Sequence, residues 1–208
     1  MSGAGLSRIL PEVVLMRVCG RIVGLVVLFL ILAGCRGRAA KRTLLPPVPD
    51  GPRGVGTDEG DKVPEIVGED LDGKKIKLSD YRGKVVLLDF WTHDCGICRY
   101  LNRHERSFVE RMKDKPFAIL GINLDPDKAA AKEAVADDGV TWPSIWDPHN
   151  TIAQDYVDQG EVPTLYLLDG NGVIRLRLSG MPRDPGQLDD YIEQLLQEKK
   201  RLSGEKGS

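Results

Sequence analysis

A seven-residue apolar run, Val85–Trp91, leads after three residues into the sequence Cys95-Gly96-Ile97-Cys98. The run contains a single acid, Asp89, and is typical of a central strand that is covered on both faces. A buried strand that delivers two thiols, two residues apart, into the first turn of a helix is a known way of building a reactive dithiol. The pattern therefore predicts redox chemistry at the carboxyl end of a buried strand.

The amino-terminal segment predicts export. Arg17 and Arg21 precede the apolar run Ile22–Ala33. That run has the length of a signal-peptide core and falls short of the roughly 20 residues that span a bilayer. An uncleaved membrane anchor is the alternative interpretation. Translation can start at Met1 or at Met16, and the predicted function is the same for both.

The sequence Leu32-Ala33-Gly34-Cys35 resembles the cleavage box of bacterial lipoproteins. The resemblance implies that residues 1–34 are a lipoprotein signal peptide, that cleavage occurs before Cys35, and that its thiol is acylated. The expected location is extracytoplasmic, on a bacterial membrane, with a lipid anchor. Cys19 is lost with the signal peptide, so Cys95 and Cys98 are the only other cysteines of the mature chain.

The remaining chain is organised as one domain between two polar segments. Residues 35–61 are rich in proline and glycine and are predicted to be a disordered tether. Residues 62–198 form the predicted domain, and residues 199–208 a disordered tail. With one cysteine pair left, stability must come from a packed core. The net charge of -2 gives no basic excess for binding nucleic acid, and a monomer is expected.

Within the domain, strands and helices alternate, which favours parallel pairing. The predicted fold class is α/β, with a mixed central sheet flanked by helices on both faces. The predicted helices are Cys95–Lys113, with Ile97, Leu101, His104, Phe108 and Met112 on one stripe, then Lys128–Asp137, Thr151–Val157 and Pro185–Glu198. The predicted strands are Lys75–Leu78, Val85–Trp91, Phe117–Asn123, Trp142–Trp146, Thr164–Leu168 and Val173–Leu178.

These features resemble the thioredoxin superfamily: the order of elements, the dithiol after Leu88-Asp-Phe-Trp91, and Glu161-Val-Pro-Thr164 opening a late strand. The membrane-tethered TlpA/ResA-type thiol-disulfide oxidoreductases are the subgroup that two further segments resemble. The first is Leu71–Val86, and the second is the extra strand and helix around Trp142–Val157. The resemblance covers roughly residues 63–196. It implies a thioredoxin-like fold and disulfide exchange with protein substrates, recycled by a membrane redox partner. No cofactor is implied.

The position of the two thiols assigns their roles. Cys95 is expected to cap the helix, where free N–H groups and the positive end of the dipole favour its thiolate, so it is the nucleophile. Cys98 lies one turn inside and resolves the mixed disulfide. By resemblance, Asp89 is the buried acid that takes the proton of Cys98. Val162-Pro163 matches the cis-proline loop, which with Trp91 is assigned to substrate binding.

The chain also departs from the family pattern. Asp94 precedes the first cysteine where relatives commonly have Trp, and Arg103 replaces a helix-kinking Pro. Asp94 is expected to disfavour the Cys95 thiolate, while protonated His93 favours it. Gly96 resembles the reducing thioredoxins and favours a reductase.

Two alternative functions remain open on the sequence. Thr92-x-x-Cys95 is also the pattern of a peroxidatic cysteine, although Leu88 stands where peroxiredoxins carry Pro. Cys95 and Cys98, with His93 and His104, offer copper or zinc ligands, as in a metallochaperone. A core histidine is the other interpretation of His104.

Overall fold

The computed structural model describes Leu45, residues 51–180 and residues 184–205. The predicted signal peptide, Cys35 and most of the predicted tether lie outside the described residues. Within the described part of the chain, no helix combines the length and the apolar character needed to cross a bilayer.

A five-stranded mixed sheet forms the centre of the domain, in the order β5-β4-β3-β6-β7. The central strand β3 (Val85–Trp91) is buried throughout, as its apolar run predicts. It pairs in parallel with β4 (Phe117–Asn123) and antiparallel with β6 (Thr164–Leu168). The outer strands are β5 (Ser144–Trp146), parallel to β4, and β7 (Ile174–Ser179), antiparallel to β6. A separate hairpin pairs β1 (Val67–Glu69) with β2 (Lys75–Lys77).

Three helices are found among the described residues: α1 (Gly96–Arg111), α2 (Lys128–Asp138) and α3 (Pro185–Glu205). Cys95 is the N-cap of α1, as predicted. Asp127 caps α2, because its side chain accepts a hydrogen bond from the backbone N–H of Ala129 at 2.9 Å. Gly139 ends α2 with φ 65°, a left-handed conformation that favours glycine.

The predicted helix Thr151–Val157 is wrong. The chain forms two short 3₁₀ turns instead, at Ala153–Asp155 and Asp158–Gly160. The Asp147 carboxylate accepts hydrogen bonds from the N–H groups of residues 151, 152 and 153, at 2.8 to 2.9 Å. Gln159 then takes a positive φ of 50°, which breaks helical geometry. The hydrogen bonds to Asp147 and the conformation of Gln159 thus give this segment two short turns in place of a regular helix.

The two faces of β3 contact different layers. The even-numbered residues Val86, Leu88 and Phe90 pack against the hairpin and the 3₁₀ segment. The odd-numbered residues of β3 face the helices: Val85 and Leu87 pack with α1 and α3, and Trp91 packs with α1 and α2. The thioredoxin-like α/β fold is confirmed, but its three long helices share one face of β3.

The predicted apolar stripe of α1 is only partly correct. Leu101 and Phe108 are buried, but Ile97 is 44 % exposed. His104 lies at the helix side, and its Nε2 is 3.1 Å from Asp189 Oδ1 of α3. The inner face of α1 instead carries two polar residues, Asn102 and Glu105, which are 1 % and 2 % exposed.

The predicted tether and tail are shorter than expected. Residues 59–61 pair with β7, since the N–H of Gly60 donates to Ile174 O at 2.7 Å and Glu59 Oε1 accepts from the N–H of Arg177 at 3.0 Å. Helix α3 continues past Glu198 to Glu205. Residues 199–202, Lys-Lys-Arg-Leu, are good helix formers, so a helix that is already packed extends through them at little cost.

Leu45 also contradicts a tether that is disordered throughout. Its side chain is 4 % exposed and belongs to the core cluster between β3, α1 and α3. Its backbone N–H donates to Gln194 Oε1 at 3.0 Å, and Gln194 Nε2 donates to its carbonyl at 3.4 Å. One leucine thus fixes the chain to α3, ten residues after Cys35.

Truncation of Leu45 should therefore destabilise the domain. Leu45→Ala removes buried methyl groups and should lower the free energy of unfolding by about 2 kcal/mol or more. Urea unfolding of the full chain measures this change. Leu202→Ala is the matched control, because Leu202 is 58 % exposed. Equal stability of the two variants would show that Leu45 is not part of the core.

Candidate active site

The two cysteines form a disulfide at the amino end of α1, with their sulfurs 2.10 Å apart. Cys95 Sγ accepts a hydrogen bond from the backbone N–H of Cys98 at 3.1 Å. Cys95 is partly exposed, whereas Cys98 is fully buried. Because β3 ends four residues before Cys95, the buried strand fixes where this helix begins. The arrangement gives solvent access to one sulfur only.

A loop before β6 lies against the exposed sulfur. The Val162–Pro163 peptide bond is cis, as the resemblance implied. The carbonyl oxygen of Val162 lies 3.7 Å from Cys95 Sγ, and Val162 packs against the cluster that contains Trp91 and Cys98. Pro163 is itself buried, so Val162 is the residue of this pair that borders the partly exposed sulfur.

Asp125, at the end of β4, holds the segment that precedes Cys95. This carboxylate is 2 % exposed. Its Oδ2 accepts hydrogen bonds from the backbone N–H of His93 at 2.9 Å and from Asn123 Nδ2 at 2.7 Å, and its Oδ1 lies 2.7 Å from His93 Nδ1. Sequence reasoning did not assign Asp125 to the site. Its place at the carboxyl end of a strand parallel to β3 was the signal for this role.

Two ionisable side chains, His93 and Asp94, directly precede Cys95 on this segment. The hydrogen bond with Asp125 raises the pKa of His93, while a hydrogen bond from Thr92 lowers the pKa of Asp94. Asp94 is therefore ionised at neutral pH, and its Oδ1 accepts from Thr92 Oγ1 at 2.7 Å. Both side chains are exposed, so solvent screens their effects on the Cys95 thiolate.

Asp89 is a fully buried acid on the same face of β3 as Trp91, which packs against Cys98. Neither carboxylate oxygen has a hydrogen-bond partner among the described residues. Burial raises the pKa of Asp89 from its usual 3.8 to about 7. A carboxyl group near its pKa at neutral pH can accept or release a proton, as general base catalysis requires.

A second buried acid, Glu105, faces the same interior and was missed by the sequence analysis. It is 2 % exposed, and both its oxygens lack partners in the described part of the chain. Burial, and then the charges of Asp89 and Asp189, raise the pKa of Glu105 well above its usual value. Glu105 lies four residues after Leu101 and three residues before Phe108, and this spacing places it on the buried face of the helix. That spacing could have predicted its burial.

The prediction that Trp91 binds substrate needs correction. Trp91 is 1 % exposed, and its indole N–H donates to Ser144 Oγ at 3.3 Å. It packs beneath the disulfide with Cys98 and residues of α2, so it supports the site from inside. The exposed apolar side chains beside the disulfide are Ile97 and Tyr100, at 44 % and 48 %.

Arg103, which replaces the family's proline, contributes to an ion network around one buried carboxylate. Asp138 at the end of α2 is 1 % exposed and accepts hydrogen bonds from Arg99, from Arg103 at 2.8 Å and from Asn102 at 3.4 Å. Burial opposes ionisation, but these bonds outweigh it and lower the pKa of Asp138. The first turns of α1 are thus fixed to α2 by charge rather than shaped by a proline.

The geometry also bears on the two alternative functions. The Thr92 hydroxyl donates its hydrogen bond to Asp94 Oδ1. In a peroxidatic site the corresponding Thr hydroxyl would donate to the peroxide instead. His104 pairs with Asp189 of α3 and does not join the cysteines. The side chains within the described residues that could hold a metal are His93, Asp94 and Asp125, with ligand atoms within 4.8 Å of one another. Hydrogen bonds already engage all three.

Comparison with known proteins agrees with this site. Residues 59–177 match the model of the AhpC/TSA family. The chain is 30% identical over 136 residues to the thiol-disulfide oxidoreductase ResA of Bacillus thuringiensis (strain Al Hakam), which covers 65% of this chain and 78% of that protein. It is 28% identical over 134 residues to ResA of Bacillus subtilis (strain 168), covering 64% and 74%.

Solved structures show the same similarity. A candidate thiol:disulfide interchange protein DsbE from Chlorobium tepidum is 32% identical with a TM-score of 0.63, covering 68% of this chain and 99% of that one. A secreted thiol-disulfide isomerase from Corynebacterium glutamicum is 28% identical with a TM-score of 0.57, covering 66% and 89%. The family match, residues 59–177, includes the dithiol and all of the sheet except the last two residues of β7.

The raised pKa values of the buried acids make stability depend on pH. Between pH 4 and 7 the folded state binds more protons than the unfolded state, so the free energy of unfolding falls as pH rises. Asp89, with a folded pKa of about 7, should account for a loss of about 3 kcal/mol between pH 5 and pH 8. Urea unfolding of the oxidised protein at pH 5 and pH 8 should show it.

Asp89→Asn should reduce this dependence and be the more stable protein at pH 8, because the amide needs no ionisation. Asp94→Asn is the control, since Asp94 is exposed and ionised at both pH values. If wild type and Asp89→Asn lost stability in parallel, Asp89 would not titrate in this range.

Proposed function

The chain belongs to the AhpC/TSA family and is a thiol-disulfide oxidoreductase with a thioredoxin-like fold, and from this premise we propose that it is an extracytoplasmic, membrane-tethered reductase of protein disulfides. Cys95 and Cys98 are its catalytic residues. The observation that carries the proposal is the unequal exposure of the two sulfurs at the amino end of α1.

The reaction starts from the dithiol. The Cys95 thiolate attacks one sulfur of a substrate disulfide, an S–S bond forms between Cys95 and the substrate, and the other substrate sulfur leaves as a thiolate that takes a proton from water. Cys98 then loses its proton and attacks Cys95 Sγ, which forms the disulfide seen here and releases the second substrate thiol. The substrate gains two electrons and the enzyme loses them.

Local structure supports this division of roles. The N–H of Cys98 donates to Cys95 Sγ, so the same bond can stabilise a thiolate at the start of α1. Cys98 is shielded from external disulfides by its burial. We propose that Asp89 accepts the proton of Cys98. Asp89 is buried on the face of β3 that also carries Trp91, which packs against Cys98, and its pKa is near neutral.

The surface around Cys95 suits an unfolded or extended protein segment. Ile97 and Tyr100 expose apolar surface beside the disulfide. The Val162 carbonyl lies 3.7 Å from Cys95 Sγ, where a substrate backbone could pair with it as a strand does. We therefore assign Val162 and the loop held by Pro163 to substrate binding.

Location and direction come from the sequence. The segment ending in Leu32-Ala33-Gly34-Cys35 supports a lipid anchor at Cys35, and Gly96 between the cysteines supports the reducing direction. A reductase outside the cytoplasm needs a source of electrons, so a membrane redox partner must reduce the Cys95–Cys98 disulfide after each cycle.

Trapping of substrates should distinguish the two thiols. Cys98→Ser should accumulate mixed disulfides between Cys95 and its substrates, because the resolving thiol is missing. Cys95→Ser should trap none, because Cys98 is buried. Non-reducing electrophoresis of cell extracts, with mass spectrometry of the adducts, gives the result. Equal trapping by both variants would contradict the assignment of the nucleophile.

The lipid anchor can be tested separately. Mass spectrometry of the mature protein should find Cys35 as an acylated amino terminus, and Cys35→Ser should leave the protein uncleaved. An intact amino terminus at Met1 or Met16 in the wild-type membrane fraction would instead indicate an uncleaved anchor.

A further inference from the structure

A groove of about 540 Å³ lies between the end of α1, the residues before β4 and the carboxyl half of α3. Met112 and Leu196 line it. Both also pack on the core cluster between β3, α1 and α3, so the apolar wall of the groove is part of the folded domain. Because Met112 is the C-cap of α1, the groove lies at the opposite end of that helix from Cys95.

The charged side chains of the groove are mostly positive. Lys115, Lys199 and Lys200 line it, and Glu193 is the one acid among the described residues that do so. Lys115 and Lys200 are exposed, and Lys199 is half-buried. The groove thus combines an apolar wall with an excess of accessible cations, which suits an anionic ligand that also carries apolar groups.

The segment that carries the proposed lipid anchor joins the domain beside this groove. Leu45 exchanges hydrogen bonds with the side chain of Gln194, which is adjacent in sequence to Glu193 of the groove lining. The buried Leu45 side chain also belongs to the core cluster on which Met112 packs. The ten residues from Cys35 to Leu45 can span about 35 Å at most. The anchor therefore keeps the groove close to the membrane surface.

The charge of this connecting segment favours the same surface. Between Cys35 and Leu45 the chain contains no acid, and its basic residues are Arg36, Arg38, Lys41 and Arg42. Basic residues next to a membrane anchor are attracted to anionic lipids. The segment and the groove are thus complementary to the same negatively charged partner.

The dithiol end of the domain has the opposite character. Asp94, Asp127 and Glu161 are exposed there. Asp94 directly precedes Cys95, Asp127 begins the helix that packs beside it, and Glu161 directly precedes the cis-proline loop. An anionic membrane surface is therefore repelled at the dithiol and attracted at the groove.

We propose that the groove formed by Met112, Lys115, Leu196, Lys199 and Lys200 binds the anionic phospholipid headgroups of the membrane that holds the chain. This inference rests on the proposed membrane tether. The ammonium groups pair with lipid phosphates, and the apolar wall contacts the glycerol region beneath them. Since α1 has 16 residues, the dithiol then lies about 24 Å from the membrane-bound end, where protein substrates reach it from the aqueous space.

Lysine labelling of the membrane-held protein tests the contact. The full chain, purified from membranes, is placed in lipid nanodiscs of phosphatidylcholine with or without phosphatidylglycerol. A water-soluble acetylating reagent is added, and mass spectrometry measures the labelling rate of each lysine. Phosphatidylglycerol should slow the labelling of Lys115, Lys199 and Lys200 by about fivefold or more. High salt should remove this protection.

The β1–β2 hairpin provides matched control lysines in the same molecule. Lys74, Lys75 and Lys77 are exposed, and their hairpin packs on the face of the sheet away from the groove. Their labelling should be the same in both kinds of nanodisc. Equal protection of hairpin and groove lysines would indicate attraction without a preferred face and would overturn the inference.

Substitution of the groove lysines should loosen the domain from the bilayer. In the triple variant Lys115→Gln, Lys199→Gln, Lys200→Gln, the free energy of unfolding should stay close to that of wild type, because surface substitutions rarely change it. The anisotropy of tryptophan fluorescence in phosphatidylglycerol nanodiscs should fall, since the domain rotates about its tether. The same substitution of the three hairpin lysines should leave the anisotropy unchanged. Wild-type anisotropy in the groove variant would contradict the proposal.

Other occupants of the groove would give different results. Protection by inorganic phosphate in discs of phosphatidylcholine alone would identify a site for free anions. Protection in native membranes but not in lipid nanodiscs would identify a protein partner. Either result would overturn the inference and leave the membrane tether in place.

Failure of the tether is also distinguishable from failure of the groove. If the wild-type chain did not remain with the nanodiscs, the proposed tether and the inference would both fail. If the chain remained with the discs and the groove lysines were labelled equally fast in both lipid compositions, the inference alone would be rejected.

Discussion

The hydrogen bond from the Cys98 N–H to Cys95 Sγ joins the fold to the chemistry. It exists because α1 begins at Gly96, and α1 begins there because β3 is buried along its whole length and ends at Trp91. The sulfur at the helix start is the exposed one, and the sulfur one turn inside is enclosed. The order of the two exchange steps follows from that single difference in access.

The loop between β3 and α1 is fixed from outside the helix as well as from inside. Asp125 binds both the backbone and the ring of His93, and Asp138 ties Arg99 and Arg103 of α1 to the end of α2. Together these carboxylates hold the residues on either side of the dithiol. A rigid first turn keeps Cys95 Sγ close to the Val162 carbonyl, which is the geometry that a substrate segment would use.

The interior beneath the dithiol is acidic in a way that a stable core does not require. Asp89 and Glu105 occupy positions where apolar residues would pack at no electrostatic cost. Their unpaired oxygens weaken the folded state as pH rises, and the same feature brings one of them to a pKa at which proton transfer is effective. The folded state is thus less stable than it would be with apolar residues at these positions, and one of these acids supplies the base that the reaction needs.

The sequence by itself determined the buried strand and the helix that starts at the dithiol, because each depends on short-range patterns of apolar and capping residues. Its resemblance to the thioredoxin superfamily implied the thioredoxin-like fold and the cis-proline loop. Tertiary structure alone decided the rest. Leu45 docks on α3, residues 151–157 are capped by Asp147, and Trp91 lies beneath the site instead of on its surface. The charge of Asp89 acts on Glu105 only when α1 packs on β3, since the charge of a residue does not reveal which groups will surround it.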